Sequence, residues 1–456
     1  MVKWSVQALF IENDQYKSSS DSLVIDVVET AGYAIIIQGK IKSNEGLASH
    51  NKTANFVYQQ LTEQRGLLDE DIFYFNYDTN QPGVDAKPSK QAIQQTFTQD
   101  IIEKMNFKPA NLYIIMVDHG TKEKFYIDPE TITSSEFSEW TDTLQDGLTG
   151  QAMSQEIVFV LGFCFSGSFI DELSGQNRVV ISSSGPDEFS YKGPLDEDNI
   201  REGEYFVSEF FKQIVYGKSV KQSFAEAVVL TEKFTAKGFG SINAPPYYDD
   251  SDQHPLLDDN ADKVGTNDVM ISGDEGLFAD KIFIGVNPKT HNDIGDVYIK
   301  EVAKTIYLGE NETATNDLWA EVSDPNQFVS LWIEIKYLAK DYKPVTALSG
   351  QIDMDLEKIV YNPAHYENGR YFWKNIGPQF IEPGIYQVFY FAKDRTSKNV
   401  SPLVRTYVYK NRAGNRPPKS ISGDFTRKQY NNVIQGLAGQ LQRFKLLYAI
   451  SMGTDS

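Results

Sequence analysis

Two stretches decide the fold of this chain: Tyr113-Ile114-Ile115-Met116-Val117 running into Asp118-His119-Gly120, and Glu156-Ile157-Val158-Phe159-Val160-Leu161-Gly162-Phe163 running into Cys164-Phe165-Ser166-Gly167-Ser168. A short, continuous apolar run bounded by turn residues suits a strand buried on both faces of a parallel sheet. Ligands of open α/β sheets bind outside the carboxyl ends of such strands. If the two strands are neighbours, His119 and Cys164 stand side by side in that crevice. A lone cysteine beside a histidine is the minimal equipment for nucleophilic acyl transfer. Taken singly, either residue reads as ordinarily as a packed histidine or a structural thiol. It is their matching positions, each with glycine close behind, that point to chemistry. Gly120 lets a substrate backbone approach, and a helix starting after Cys164 would lower the thiol pKa and offer N–H groups to an oxyanion.

Outward from these runs, residues 31–245 alternate strand and helix. Tyr33–Gly39 and Asp71–Phe75 read as strands, and His50–Gln64 as a helix. Lys90–Met105 reads as another helix, with Ile93, Phe97, Ile101 and Met105 at near four-residue spacing. Ser135–Leu148, Glu204–Ile214 and Lys221–Thr235 are helical stretches, and Arg178–Ser184 is a further strand. The pattern predicts a mostly parallel sheet with helices on both faces. Residues 244–276 are acidic and read as a loop. From about 295, short runs separated by turns (Val297–Ile299, Leu318–Val322, Leu331–Ile335, Arg370–Trp373, Gly384–Phe391 and Val404–Tyr409) predict an antiparallel β-sandwich, its aromatic residues serving as core. The domains expected are an N-terminal segment (1–30), an α/β domain (31–287), an Ig-like sandwich (288–412), and a linker with a C-terminal amphipathic helix over Lys428–Ile450 (413–456).

The chain has 456 residues, more than one ordinary core, and its 41% hydrophobic and 13% aromatic content is that of a folded protein. The net charge of −20 disfavours nucleic acid and anionic membranes as partners. A single cysteine excludes an intramolecular disulfide. No run approaches the ~20 apolar residues of a membrane span, and residues 1–10 are too polar and short for a signal peptide. Asp258, Asn260 and Asp262 carry the alternating oxygen pattern of calcium loops, yet Lys263 and Val269 stand where such a loop places glycine and glutamate. A structural calcium ion and a solvated acidic turn are the two readings.

Several of these segments together resemble the legumain family of cysteine peptidases, within the caspase-like superfamily. They are Asp118-His119-Gly120 and Cys164-Phe165-Ser166-Gly167-Ser168-Phe169 after apolar strands, Ser182-Ser183-Ser184-Gly185-Pro186-Asp187-Glu188-Phe189-Ser190-Tyr191, the helix start Ser49-His50-Asn51, and Gly203-Glu204-Tyr205-Phe206. The likeness covers roughly residues 31–245, and residues 254–285 look like the tail of bacterial members with further extracellular modules. The resemblance implies a caspase-like α/β fold and hydrolysis of a peptide or protein substrate through an acyl-enzyme. Cys164 would be the nucleophile and His119 the general acid/base, with the Gly120 and Cys164 N–H groups as oxyanion hole and no cofactor required. It implies a substrate pocket from Ser49, His50, Gly162, Ser183, Ser184 and Glu204. Asparagine-selective members carry an acidic residue where this chain has Gly162 and an arginine where it has Ser49, so the P1 preference is left open between a basic residue drawn by a lone Glu204 and a Glu204 that is only a solvated surface residue. A secreted or cell-surface location is expected, its leader outside this numbering, with a cytoplasmic one still open. Two alternatives remain: a transpeptidase or ligase on the same fold, and a non-catalytic binding or adhesion module in which the sandwich does the work.

Overall fold

The computed structural model describes residues 2–10, 19–27, 30–236, 251–269, 275–286, 297–309, 318–338, 357–360, 363, 365–374, 376 and 379–410. The expected linker and C-terminal helix beyond residue 410 lie outside the described residues. The chain opens with an antiparallel hairpin of β1 (Val2–Phe10) and β2 (Ser19–Val27). The α/β domain follows as β3 (Tyr33–Gln38), α1 (Leu47–Gln59), β4 (Ile72–Phe75), α2 (Lys90–Gln95), α3 (Ile101–Phe107) and β5 (Leu112–Val117). Next come the short strands β6 (Gly120–Thr121), β7 (Lys124–Ile127) and β8 (Glu130–Thr133), then α4 (Ser134–Gly147), β9 (Ile157–Gly162) and α5 (Ile170–Leu173). The set closes with β10 (Arg178–Ser182), α6 (Tyr205–Val215), α7 (Val220–Thr235) and β11 (Leu256–Asp258).

Six of these strands form one sheet in the order β11-β10-β9-β5-β3-β4, all parallel except the antiparallel edge strand β11. Strand order reverses between β3 and β5, the switch point where such sheets open a crevice at the carboxyl ends. Continuous apolar runs are required because both faces are covered. Ile36, Ile115, Val117 and Val160 pack under α1, α6 and α7 with Val57, Phe206, Phe210 and Phe224. The alternate residues Ile35, Ile114, Met116 and Phe159 pack against Phe97, Ile101, Phe137 and Trp140. The helix expected over Lys90–Met105 is α2 and α3 joined by a π-helical turn at Thr96–Asp100.

One expectation is corrected here, and one gap is filled. The acidic stretch read wholly as loop contributes β11, paired Leu256↔Ser182 and Asp258↔Val180. Gly120–Thr133, which the sequence left unassigned, is a three-stranded antiparallel sheet.

The C-terminal region is all-β. Its strands are β12 (Ile299–Val302), β13 (Ile306–Leu308), β14 (Trp319–Val322), β15 (Phe328–Leu338), β16 (Glu357–Val360), β17 (His365–Glu367), β18 (Arg370–Phe372), β19 (Gly384–Asp394) and β20 (Val404–Lys410). They make a four-stranded sheet, β12-β14-β18-β17, and a five-stranded sheet, β13-β20-β19-β15-β16. One pair departs from the antiparallel expectation: β13 runs parallel to β20, Ile306↔Val408.

Leu331, Ile333, Tyr386, Val388 and Tyr390 fill the space between the sheets around Trp373. The intervening Trp332, Phe389 and Phe391 face the other way, onto Tyr191, Tyr205 and Phe234 of the α/β domain. These aromatics are thus interface, not sandwich core as expected. Polar contacts reinforce the junction. Buried Glu334 on β15 accepts from Leu195 N (2.8 Å), Trp332 Nε1 (3.0 Å) and Arg201 Nη1 (3.1 Å). Asp196 lies between Lys52 (3.0 Å) and Lys393 (2.9 Å). Burial alone would raise the Asp196 carboxyl, but the two lysines outweigh it and hold it low.

Candidate active site

β5 and β9 are adjacent and in register, Val117↔Gly162, and Asp118 N still donates to Gly162 O at 3.2 Å. The chains therefore leave the sheet together, which carries His119 and Cys164 to neighbouring positions at the carboxyl ends of β5 and β9, next to the switch point. Gly120 is required by space: a Cβ there would stand 2.3 Å from Phe163 Cδ2 and 2.8 Å from Cys164 O. The Phe163 ring is itself held between Phe125 and Phe169, at 5.0 and 5.1 Å.

After Cys164 the backbone turns through Phe165 at φ 63°. The helix expected to start there is a 3₁₀ turn, Ser166–Phe169, followed by the four-residue α5. The small residues explain this. Gly167 N donates to Ser184 O at 2.9 Å, drawing the turn down onto the chain that leaves β10. A Cβ on Gly167 would stand 2.7 Å from Pro186 N. The thiol is met instead by backbone: Ser190 N donates to Cys164 Sγ at 3.3 Å, with Ser190 Oγ at 3.7 Å. Phe165 N donates to Glu188 O at 2.7 Å, so residues 188–190 clasp the cysteine.

Asp118 is the residue the sequence reading passed over. It adopts φ 154°, a conformation uncommon outside glycine. Its Oδ1 accepts from His119 N (2.8 Å), and its Oδ2 lies 2.7 Å from His50 Nδ1. The His50 ring meets the His119 ring edge-on, centroids 4.7 Å apart. His119 Nε2 lies 3.0 Å from Glu45 O, which can only accept, so the proton is on Nε2. Burial pushes the His119 pKa below its usual value, against the upward pull of Asp118, so the ring is neutral at pH 7. Cys164, His50, Asp118 and His119 are all at most 1% exposed, and no hydrogen bond joins Sγ to the His119 ring. One ligand atom each of His50, Asp118 and His119 lies within 4.8 Å of the others. Two ligands of a tetrahedral ion, each at ~2.0 Å from it, stand about 3.3 Å apart. His50 Nδ1 and Asp118 Oδ2, at 2.7 Å, are closer than that spacing.

The expected pocket residues are brought together. A Cβ on Gly203 would fall 2.5 Å from His50 N, so this glycine lets the 202–204 segment lie on the first turn of α1, beside half-buried Ser49. Thr53 Oγ1 accepts from Gly203 N at 2.8 Å. Gly162 faces Glu204, whose Cγ would be 3.3 Å from a Cβ at that glycine. Ser184 Oγ donates to Phe163 O (3.3 Å) and Ser183 O accepts from Gln253 Nε2 (2.7 Å).

Glu204 itself is fully buried. Its Oε2 accepts from Val207 N at 2.6 Å, capping α6, and its Oε1 takes Gln253 Nε2 at 3.3 Å. Burial raises its pKa to about 8 despite these bonds. Gln253, which ties Ser183 to Glu204, had no sequence signal, because it lies in the acidic stretch. Asp258 lies two residues down the sheet from the Ser182 level. There Asn260 bonds to Asp262, through Oδ1 to its N–H (2.8 Å) and Nδ2 to its Oδ2 (3.2 Å), and Glu275 joins Asp258 and Asp262.

Residues 89–244 match the model of the Peptidase C13 family. The α/β domain is a legumain-like C13 peptidase domain. The match spans α2 to past the end of α7 and contains both His119 and Cys164. Among curated proteins, no relative matches the chain. The match supports, at the level of the family, a cysteine peptidase of caspase-like α/β fold. Among the described residues no helix is long and apolar enough to cross a membrane.

Proposed function

We propose that the peptidase domain hydrolyses peptide bonds through a Cys164 acyl-enzyme, with His119 as general acid/base and the Gly120 and Cys164 N–H groups as oxyanion hole. The observation that carries this reading is the register of β5 and β9, which brings His119 and Cys164 to the same carboxyl-end level of adjacent strands. His119 takes the thiol proton as Sγ attacks the scissile carbonyl, and delivers it to the amine as the amine leaves. Water then attacks the thioester, giving a proton to His119, which returns it to Sγ as the Cys164 thiol leaves. Asp118 stands against both imidazoles, with Oδ2 2.7 Å from His50 Nδ1 and Oδ1 3.5 Å from His119 Nε2, and serves as the third, orienting group of such a set. His119 Nε2 is held on Glu45 O, so substrate has to displace that carbonyl from the 41–46 segment before the ring can serve.

In this reading Glu204 does not act as a free anion in the pocket. Its buried, capped carboxyl supports α6, so a basic P1 preference rests on an ionisation that burial opposes. The β-region serves as an Ig-like buttress: Glu334 and Lys393 hold the 195–201 segment that leads into Glu204. A secreted or cell-surface setting suits this two-part build.

The chain has one cysteine, so a mass shift reports Cys164 alone. Peptides ending in a thiol-reactive electrophile are expected to label the wild type far faster than they label free cysteine, and to label His119→Ala no faster than free cysteine. Equal labelling of the two proteins would remove His119 from the chemistry.

A further inference from the structure

We propose that Asp258, Asp262 and Glu275 bind a calcium ion that fastens the edge strand β11 to the turn that follows residue 275. One carboxylate oxygen of each lies within 4.8 Å of the other two. Asp258 is 1% exposed and Glu275 7%. One oxygen of each is used locally: Asp258 Oδ1 accepts from Ala261 N at 3.2 Å, and Glu275 Oε2 from Asp259 N at 3.1 Å. The second oxygen of each, Asp258 Oδ2 and Glu275 Oε1, is buried with no hydrogen-bond partner among the described residues. A buried carboxylate oxygen left without donor or cation is strongly unfavourable. Ion pairs do not relieve it: Lys263, the nearest cation in sequence, pairs with Asp171 at 3.0 Å.

The donor set selects the ion. Three carboxylates with no nitrogen or sulfur ligand favour a hard cation over zinc. Carboxylates supplied by separate segments suit the six to eight adaptable oxygen ligands of calcium better than a rigid magnesium octahedron. Exposed Asp262 leaves one side open for water ligands. Asp259 borders the site: its oxygens take Gly276 N (2.8 Å), Phe278 N (2.8 Å) and Ala279 N (2.7 Å), and its carboxyl lies against that of Glu275. The site is not the twelve-residue loop that the sequence suggested, since Glu275 comes from a different turn.

The position couples the ion to the peptidase site. β11 pairs with β10 at Leu256↔Ser182. Just before it, Gln253 holds Ser183 and Glu204, and His254 Nδ1 meets Glu188 Oε1 at 2.7 Å. Glu188 O in turn takes the N–H of Phe165, next to Cys164. An ion that fixes Asp258 therefore fixes the strand that braces both the pocket and the cysteine.

The test is calorimetric titration of chelator-stripped full-length protein with calcium chloride, with melting curves alongside. The wild type is expected to bind one ion with Kd below about 1 mM, and to melt at a higher temperature with calcium than with chelator. Asp258→Asn and Glu275→Gln should lose the shift. Because those buried variants can fail to fold, Asp262→Asn, an exposed site, decides: it is expected to fold normally and bind roughly tenfold more weakly. No heat and no shift at about 10 mM calcium, or unchanged affinity in Asp262→Asn, would overturn the assignment. Neither readout depends on whether Cys164 cleaves peptides.

Discussion

Gly120→Ala is the most demanding single test of the site geometry. The added methyl would stand 2.3 Å from Phe163 Cδ2 and 2.8 Å from Cys164 O, where carbon contacts are optimal at about 3.5–4.0 Å. Phe163 cannot swing aside, since Phe125 and Phe169 hold it on two sides. The Cys164 carbonyl cannot move without moving the nucleophile. Relief of both overlaps calls for a displacement of roughly 1 Å between the His119 and Cys164 segments, and misplacement on that scale costs on the order of 10²-fold in rate. Overpacking a close-packed interior also costs about 1–3 kcal/mol of stability. We therefore expect kcat on a cleavable peptide to fall by roughly two orders of magnitude, KM to change little, and the protein to stay folded with a lower melting temperature. Steady-state kinetics and a thermal melt read both. A variant that keeps kcat within about twofold of wild type would show that Gly120 and Cys164 do not abut as described.

Other substitutions probe the surroundings. Asp118→Asn removes the charge opposite His50 Nδ1 and should lower kcat by roughly 10²-fold with little change in KM, read by the same kinetics. Glu334→Ala takes a fully buried acceptor from Leu195, Trp332 and Arg201; breaking such a pair costs about 3–5 kcal/mol, to be read as a lower denaturant midpoint. Glu204 gives a pH test. Its folded pKa of about 8 lies above the usual 4.5, so its contribution is fully present below that lower value and is lost as pH rises through the higher. The stability of wild type relative to Glu204→Gln should thus decline between pH 5 and 8 in parallel melts, and a constant difference would mean the carboxyl is not buried as described.

Much of this was legible in the sequence where burial leaves a period. Strands β3, β5, β9 and β10 are covered on both faces, so each had to be a continuous apolar run. The helix through Ile93, Phe97, Ile101 and Met105 shows one apolar side. β11 was hidden because Leu256-Leu257-Asp258 is three residues inside an acidic stretch, and only its pairing with β10 makes it a strand. The sandwich aromatics were misassigned for a related reason. Trp332 and Phe389 alternate with Ile333 and Val388, and a strand covered by a second domain has the same pattern as one covered by its own fold. His119 and Cys164 could be found because each ends an apolar run. The His50–Asp118 contact could not, because its partners come from α1 and the end of β5 and meet only once the sheet is assembled.

The central claim is peptide-bond cleavage through Cys164. It is tested most directly by incubating a mixed peptide library with the wild type and with Cys164→Ala, and reading the new termini by mass spectrometry. The account predicts new termini with the wild type and none with the variant. Cleavage that persists in Cys164→Ala, or an absence of cleavage by a wild-type protein whose thiol the electrophilic peptides label, would contradict it.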